Sequence, residues 1–440
     1  MSLELTNSQY KLEDICLQIT DGKHGDCENQ ENSGYYFVSV KDIDDGVINY
    51  SNARQITKFD FEDTDKRTKL ENEDILITNS GTIGKFVFVN SPLSRKTTFQ
   101  KSVAIIKPNK NKIIPKFLYY YLISEKRRLV EYAGGTTQKN LLLRDIRNFE
   151  VEIPDETHQK KIIEILNNID QLISVNKKLN RNLVNLAKTI FRDKFIFYKG
   201  YESQMIKTDV GEIPNTFEVK SVDEISKDVV CGKTPSTKVE ENYGDKMLFI
   251  TIPDMHGNVF VIDTERKLSE IGIKSQIKKI LPENSICVSC IATAGLVSLT
   301  SEESQTNQQI NSIICKDDIS PYFVYLYMEE LSEYIKMLGS GGSTTLNLNK
   351  REFGKIELVI PPKDDMIKFH GQISPFFEKI KSNQYEINFL SKLRDTLLPK
   401  LMSGEIDVSK INCDMQQIST KNWDNKFTVP LQNNLIKVIS

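Results

Sequence analysis

The chain alternates between two hydrophobic patterns. Short runs of β-branched and aromatic residues at 35–40, 75–78, 86–89, 103–107 and 149–153 predict strands, and residues 115–132 predict helix. After Ile153-Pro154 the pattern lengthens into a glycine-free stretch reaching about residue 195, opened by Asp155 and Thr157 as candidate N-caps. Its apolar positions are Ile162, Ile165, Ile169, Leu172, Leu179, Leu183, Leu186 and Ile190. Steps of three and four over about four heptads describe a coiled-coil seam. A second seam follows Pro361-Pro362, with Ile373, Phe376, Ile380, Ile387, Leu390, Leu397 and Leu401, and Gly404 is placed to stop it. About 38 residues at ~1.5 Å each make a rod of roughly 57 Å.

The two patterns recur because the chain repeats itself. Gly134-Gly-Thr-Thr-Gln-Lys-Asn-Leu141 lies over Gly341-Gly-Ser-Thr-Thr-Leu-Asn-Leu348, and the register runs on to Ile153-Pro154 over Ile360-Pro361. Nine of 21 positions from 134 to 154 are identical at a shift of 207. Looser matches precede it. Phe37-Val-Ser-Val-Lys-Asp-Ile43 falls on Phe249-Ile-Thr-Ile-Pro-Asp-Met255, and Pro115-Lys-Phe-Leu-Tyr-Tyr120 on Pro321-Tyr-Phe-Val-Tyr-Leu326. Two homologous halves, each a globular domain followed by a long helix, have an obvious way to bury their seams, against each other. The expected fold is therefore α+β: two similar domains separated by a pair of long antiparallel coiled-coil helices, with an internal pseudo-twofold repeat. The divisions expected are 1–154, 155–199, 200–362, 363–407, and an extension, 408–440, that has no counterpart in the first half.

Helix pairing is assigned to Ile162, Ile169, Asn176, Leu183 and Ile190 of the first seam and Ile373, Ile380, Asn383, Leu390 and Leu397 of the second. Asn176 and Asn383 lie near the helix midpoints, where antiparallel partners related by a twofold axis meet. They are expected to face each other and fix the register.

Composition narrows the function. The 440 residues are 39% hydrophobic and 27% charged, with no apolar run of the roughly 18 residues a membrane helix needs and no secretion-signal layout at the start. A cytoplasmic protein is expected. Seven scattered cysteines read as reduced thiols. Cys287 and Cys290 sit in an apolar strand-like run where positions three apart face opposite ways, so they chelate poorly. The net charge of −2 hides a division: residues 1–75 carry −9, 76–154 carry +9 and 200–362 carry −8. A −9 stretch followed by a +9 stretch could give one region a basic and an acidic face, but simple neutralisation in space is at least as common, so composition alone does not announce nucleic acid. Were DNA bound, Lys85, Lys101 and Lys139 in the first domain should contribute more to its salt dependence than Lys233, Lys238 and Lys246 in the second.

Two variable globular regions, each followed by a similar helix, with the Gly-Gly-(Thr/Ser)-Thr-x-x-Asn-Leu loop, the Ile-Pro step into each helix and Cys231-Gly-Lys-Thr-Pro-Ser236, resemble the specificity subunit of Type I restriction–modification systems. The resemblance covers about residues 10–407. It implies two target recognition domains, each reading half of a split sequence in double-stranded DNA. The helices would act as a ruler and as docking surfaces for two methyltransferase subunits, with restriction subunits where the system has them. S-adenosylmethionine and ATP would belong to those partners, and this chain would hold no cofactor.

The residues agree with a non-catalytic role. Gly232-Lys233-Thr234 is not a P-loop, because Lys227 stands where the first glycine is needed and Pro235 follows where a helix should begin. No nucleophile–base set or methyltransferase motif can be assembled, and a zinc site put together from His24-x-x-Cys27 and Cys287-x-x-Cys290 is disfavoured by the strand spacing of the second pair. Base reading needs polar side chains on loops, framed by groups that hold phosphates. Candidates in the first half are Lys23, His24, Lys41, Asn79, Ser80, Thr82, Lys85, Thr136, Thr137, Gln138 and Lys139. In the second half they are Lys233, Thr234, Ser236, Lys238, His256, Thr293, Gln308, Gln309, Ser343, Thr344 and Thr345. The simpler reading of each is a turn residue satisfying nearby backbone. The Gly-Gly loops occur in both halves, which suits a shared backbone role, whereas readers of different bases should differ. The other readings are a duplicated-domain interaction scaffold that does not read DNA and, with less behind it, a hydrolase or NTPase.

Overall fold

The computed structural model describes residues 8–44, 46–90, 96–134, 140–202, 205–291, 293–339 and 348–408. Contacts divide them into two compact units, one holding the chain up to Asp170 together with that from Lys392, the other Gln171–Ser391.

The first unit is built on a four-stranded antiparallel sheet in the order Cys16–Asp21, Val103–Pro108, Ile75–Thr78, Phe86–Phe88. Beside it, Tyr35–Val38 pairs antiparallel with Arg54–Gln55 and parallel with Lys96–Phe99. The strands Ile75–Thr78 and Val103–Pro108 are buried along their whole length, as the apolar runs Ile75–Ile77 and Val103–Ile106 favour, with Lys107 the buried charge among them. Val38, Leu76, Val87, Phe99, Val103 and Ile105 form one core cluster. The helix Pro115–Ser124 starts with proline at its first turn, where the missing N–H costs nothing. Ser8–Lys11 pairs with Glu150–Ile153, so the start of the domain is tied to its end.

A charged pair lies inside this unit. Lys107 is 8% and Asp74 4% exposed, with Lys107 Nζ 2.6 Å from Asp74 Oδ2 and donating also to Lys69 O at 2.7 Å. Burial pushes the Asp74 carboxyl above its ordinary pKa despite that partner.

The second unit repeats the plan. Ser226–Cys231, Ile310–Cys315, Ile286–Ser289 and Val297–Thr300 take the same order, with Phe260–Val261 added parallel at the edge. Met247–Ile250 and Ser304–Thr306 are parallel neighbours, like their counterparts in the first unit. Glu218–Ser221 pairs with Glu357–Ile360. One detail identifies the repeat at atomic scale: the Tyr121 hydroxyl accepts from Glu152 N at 3.1 Å, and the Tyr327 hydroxyl accepts from Val359 N at 3.1 Å. Cys287 packs with Val230 and Ile250, while Cys290 joins the other apolar cluster with Ile286 and Val288, as opposite strand faces dictate.

The long helices are Glu156–Phe195 and Lys363–Met402, 40 residues each. Asp155 caps the first, its Oδ1 accepting from Thr157 N and His158 N; Gly404, at φ +75°, follows the second. In the second unit they run antiparallel. Asn383 Nδ2 donates to Asn180 Oδ1 at 2.7 Å, and Lys194 Nζ to Gln372 Oε1 at 3.1 Å. In the first unit Arg394 Nη1 reaches Asp170 Oδ1 at 3.1 Å, and the Tyr120 hydroxyl donates to Asp170 Oδ2 at 2.7 Å.

The seams need two corrections. Asn383 is paired with Asn180, not Asn176, and its own Oδ1 has no partner among the described residues. The helices cross one turn further along the first helix than a meeting of midpoints implies. The buried stripe of the first helix is also displaced. Ile162, Ile169 and Asn176 are buried as expected, but the intervening positions are Leu166 and Ile173, and Leu183 and Ile190 are only half-buried. Beyond them Ala187, Phe191 and Phe195 are buried, while Leu186 is 47% exposed. The cause is a second contact surface. Phe191 and Phe195 lie 5.3 and 5.1 Å from Phe323 of the second domain, and Phe195 4.9 Å from Phe369 of the partner helix, so this end of the helix packs on the second domain as well as on its partner. In the second helix Ile373, Ile380, Asn383, Leu390 and Leu397 are all buried.

Candidate nucleic-acid interface

Three turns converge at one end of each domain, on matching backbone frames. In the first, Gly22 N donates to Val103 O at 3.2 Å and Lys23 N to Phe99 O at 2.8 Å; in the second, Gly232 N donates to Ile310 O at 3.1 Å and Lys233 N to Thr306 O at 2.9 Å. A Cβ on Gly22 would lie 2.0 Å from Phe99 O, and one on Gly232 2.1 Å from Asn307 O. These glycines exist because one backbone passes directly over another. Gly232-Lys233 is thus the crossing of two strands, not a phosphate cradle.

The second turn is closed by a hydroxyl. Thr78 Oγ1 donates to Thr82 O at 2.6 Å and accepts from Lys85 N at 2.9 Å; Ser289 Oγ donates to Thr293 O at 2.6 Å and accepts from Leu296 N at 2.8 Å. This turn also anchors the far end of each Gly-Gly loop, through Leu141 N to Asn79 O at 2.8 Å and Leu348 N to Cys290 O at 2.9 Å. The third turn, 100–102 or 307–309, joins the others through Lys101 N to Lys23 O, Asn79 N to Ser102 O, and Cys290 N to Gln309 O.

The candidate residues separate on this frame. Lys23 is braced, its Nζ 2.8 Å from Asp60 Oδ1 and 3.6 Å from Asp63 Oδ2. The bond to Asp60 raises the ammonium pKa and lowers that of the carboxyl. His24 is exposed, with Nε2 2.9 Å from Asp21 Oδ2, a carboxylate that also pairs with Arg67. Lys85 donates to Ile43 O at 2.7 Å. Asn79 is buried, and its Oδ1 has no partner among the described residues; Ser80 is half-buried. Lys41 and Thr82 are exposed.

In the second domain Lys233, Ser236, Lys238, His256, Thr293 and Gln308 are exposed, and Thr234 and Gln309 are half-buried. Thr234 Oγ1 donates to Gln308 Oε1 at 2.6 Å, and Gln309 Oε1 accepts from Asn307 Nδ2 at 3.0 Å. His256 caps a separate short helix, Ile252–Met255. Thr136, Thr137, Gln138, Lys139, Ser343, Thr344 and Thr345 lie outside the described residues, as does the chain from 409 onward.

The sequence did not single out Asp60, Asp63 and Arg67, which neutralise or brace the first domain's candidates, nor place Lys101 at the tip of its turn. Aligning 99–103 on 306–310 at the repeat shift would have set Lys101 against Gln308.

Comparison with known proteins agrees with this duplicated plan. Residues 6–185 and 214–392 each match the model of the Type I restriction modification DNA specificity domain. Over 388 residues the chain is 34% identical to the Type I restriction enzyme HindI specificity subunit of Haemophilus influenzae, covering 73% of this chain and 84% of that one. Over 357 residues it is 27% identical to the MjaIX specificity subunit of Methanocaldococcus jannaschii, covering 77% and 78%. The crystal structure of a Type I restriction–modification S subunit from M. genitalium shares the fold, with a TM-score of 0.55 over 91% of this chain and 97% of that one at 16% identity.

Proposed function

Since the chain belongs to the Type I restriction–modification DNA specificity family, we propose that it selects the target of such a complex, each domain reading one half of a bipartite sequence in double-stranded DNA. The observation that carries this reading is the duplicated frame of three turns, matched in most of its backbone hydrogen bonds and different in exposed side chains. A reader of two unlike half-sites needs that combination, since the backbone fixes the approach and the side chains choose the bases.

The long helices would set the distance between half-sites and dock two methyltransferase subunits, with restriction subunits added where the system has them. Chemistry would reside in those partners, with their S-adenosylmethionine and ATP, and the complex would act on DNA in the cytoplasm. The role of this chain is recognition, not catalysis.

Methylome sequencing of the source strain with and without this gene tests the proposal. Loss of one bipartite methylation motif is expected. An unchanged methylome would favour the interaction scaffold instead.

A further inference from the structure

The third turn carries the inference, which rests on the reading of the chain as a DNA-specificity subunit. In both domains it is a tight turn leaving one strand of the parallel pair and entering the central strand of the larger sheet. Gln100 N donates to Val38 O at 2.9 Å and Val103 N to Gln100 O at 3.0 Å; Asn307 N donates to Ile250 O at 3.1 Å and Ile310 N to Asn307 O at 3.3 Å. The residues flanking each tip also brace one another. Ser102 Oγ donates to Gln100 Oε1 at 3.3 Å and accepts from Val40 N at 3.3 Å. Asn307 binds Gln309 twice, through Nδ2 to Oε1 and through Oδ1 to the Gln309 N–H, both at 3.0 Å.

The residue between the braces is exposed in each case, and it differs: Lys101 in the first domain, Gln308 in the second. Gln308 is also oriented. The Thr234 hydroxyl takes one lone pair of its Oε1 at 2.6 Å, leaving the other lone pair and both Nε2 hydrogens of this exposed side chain for a ligand. An amide held this way presents one acceptor and one donor side by side, the pattern that matches N6 and N7 of adenine in the major groove. A lysine tip is a pure donor and matches the paired acceptors O6 and N7 of guanine.

We propose that Lys101 and Gln308, at equivalent tips of a shared turn, are specificity-determining residues that read guanine and adenine respectively, one in each half-site. Thr234 is a positioning residue for Gln308.

The test exchanges the tips in the full chain, assembled with its methyltransferase partners in a host free of other methylation, and reads the motif. Gln308→Lys should move the preference at one position of one half-site from adenine to guanine, by roughly 10- to 100-fold. Lys101→Gln should do the converse in the other half-site. Thr234→Val should relax discrimination at the Gln308 position alone, leaving every other position of the motif as it was. Where a variant abolishes methylation, the preference is read directly from binding of the purified complex to a pool of randomised duplexes. An unchanged motif in both tip variants would overturn the proposal. So would a uniform loss of affinity across all sequences, the mark of a phosphate contact. Absence of any bipartite motif with the unmodified chain would instead overturn the specificity-subunit reading itself.

Discussion

Lys107 and Asp74 show what a charge tally misses. The pair is interior to the first domain, with Asp74 4% exposed. Removing one partner leaves the other charge buried and unpaired, which typically costs about 3–5 kcal/mol. Lys107→Met is therefore expected to lower stability strongly, as read by chemical denaturation. The loss should depend on pH in a definite direction. Burial already raises the Asp74 pKa, so its protonated form is favoured by the fold. Stability from this group is fully present below the unfolded carboxyl value and is lost as pH rises through the folded one. Without Lys107 that folded value rises further. The gap between variant and wild type should narrow on acidification, and a gap independent of pH would show that Asp74 is not the stranded group.

At the scale of elements, the helix pair separates what periodicity reveals from what it cannot. Asn383 is fully buried and donates to Asn180 at 2.7 Å. Asn180→Leu should strand that amide and destabilise by about 1–3 kcal/mol. Asn180→Leu with Asn383→Leu should recover most of the loss, and Asn176→Leu should cost less than Asn180→Leu. A double-mutant cycle with no coupling between 180 and 383 would contradict the pairing. Heptads announced both helices, because seam spacing is a local property, and the internal repeat announced their antiparallel partnership. Neither announced that Phe191 and Phe195 pack on the second domain, because that contact is with Phe323, far off in sequence. The same holds for the candidate interface. The strands and the repeat were legible, but Lys23 against Asp60, or Thr234 against Gln308, depends on how loops close in space. Gln308 was legible as a loop polar residue; its orientation was not.

Across the whole molecule, segment charge overstates the first domain's grip on DNA. Of the cations in the +9 stretch, Lys107 is paired internally, Lys85 is tied to Ile43 O, and Lys116 lies 4.5 to 5.0 Å from the ring centres of Phe88, Tyr119 and Tyr120. In the net-negative second domain, Lys233 and Lys238 are exposed. Affinity loses about 0.9 of a log unit per log unit of salt for each phosphate held. Reversing Lys233 and Lys238 should thus flatten the salt dependence of DNA binding at least as much as reversing Lys23 and Lys85. A larger effect from Lys23 and Lys85 would restore the asymmetry that net charge suggests. The division of the chain into units has a further consequence, which concerns time. The second unit is one continuous stretch, whereas the first needs residues on both sides of it, with Arg394 returning to Asp170. On a ribosome adding roughly 5–20 residues per second, the apolar face of Ile162, Leu166 and Ile169 leaves the tunnel some ten to forty-five seconds before the last helical turns that complete its unit. The domain made first is finished last, and in that interval Asp170 has the Tyr120 hydroxyl but not yet Arg394.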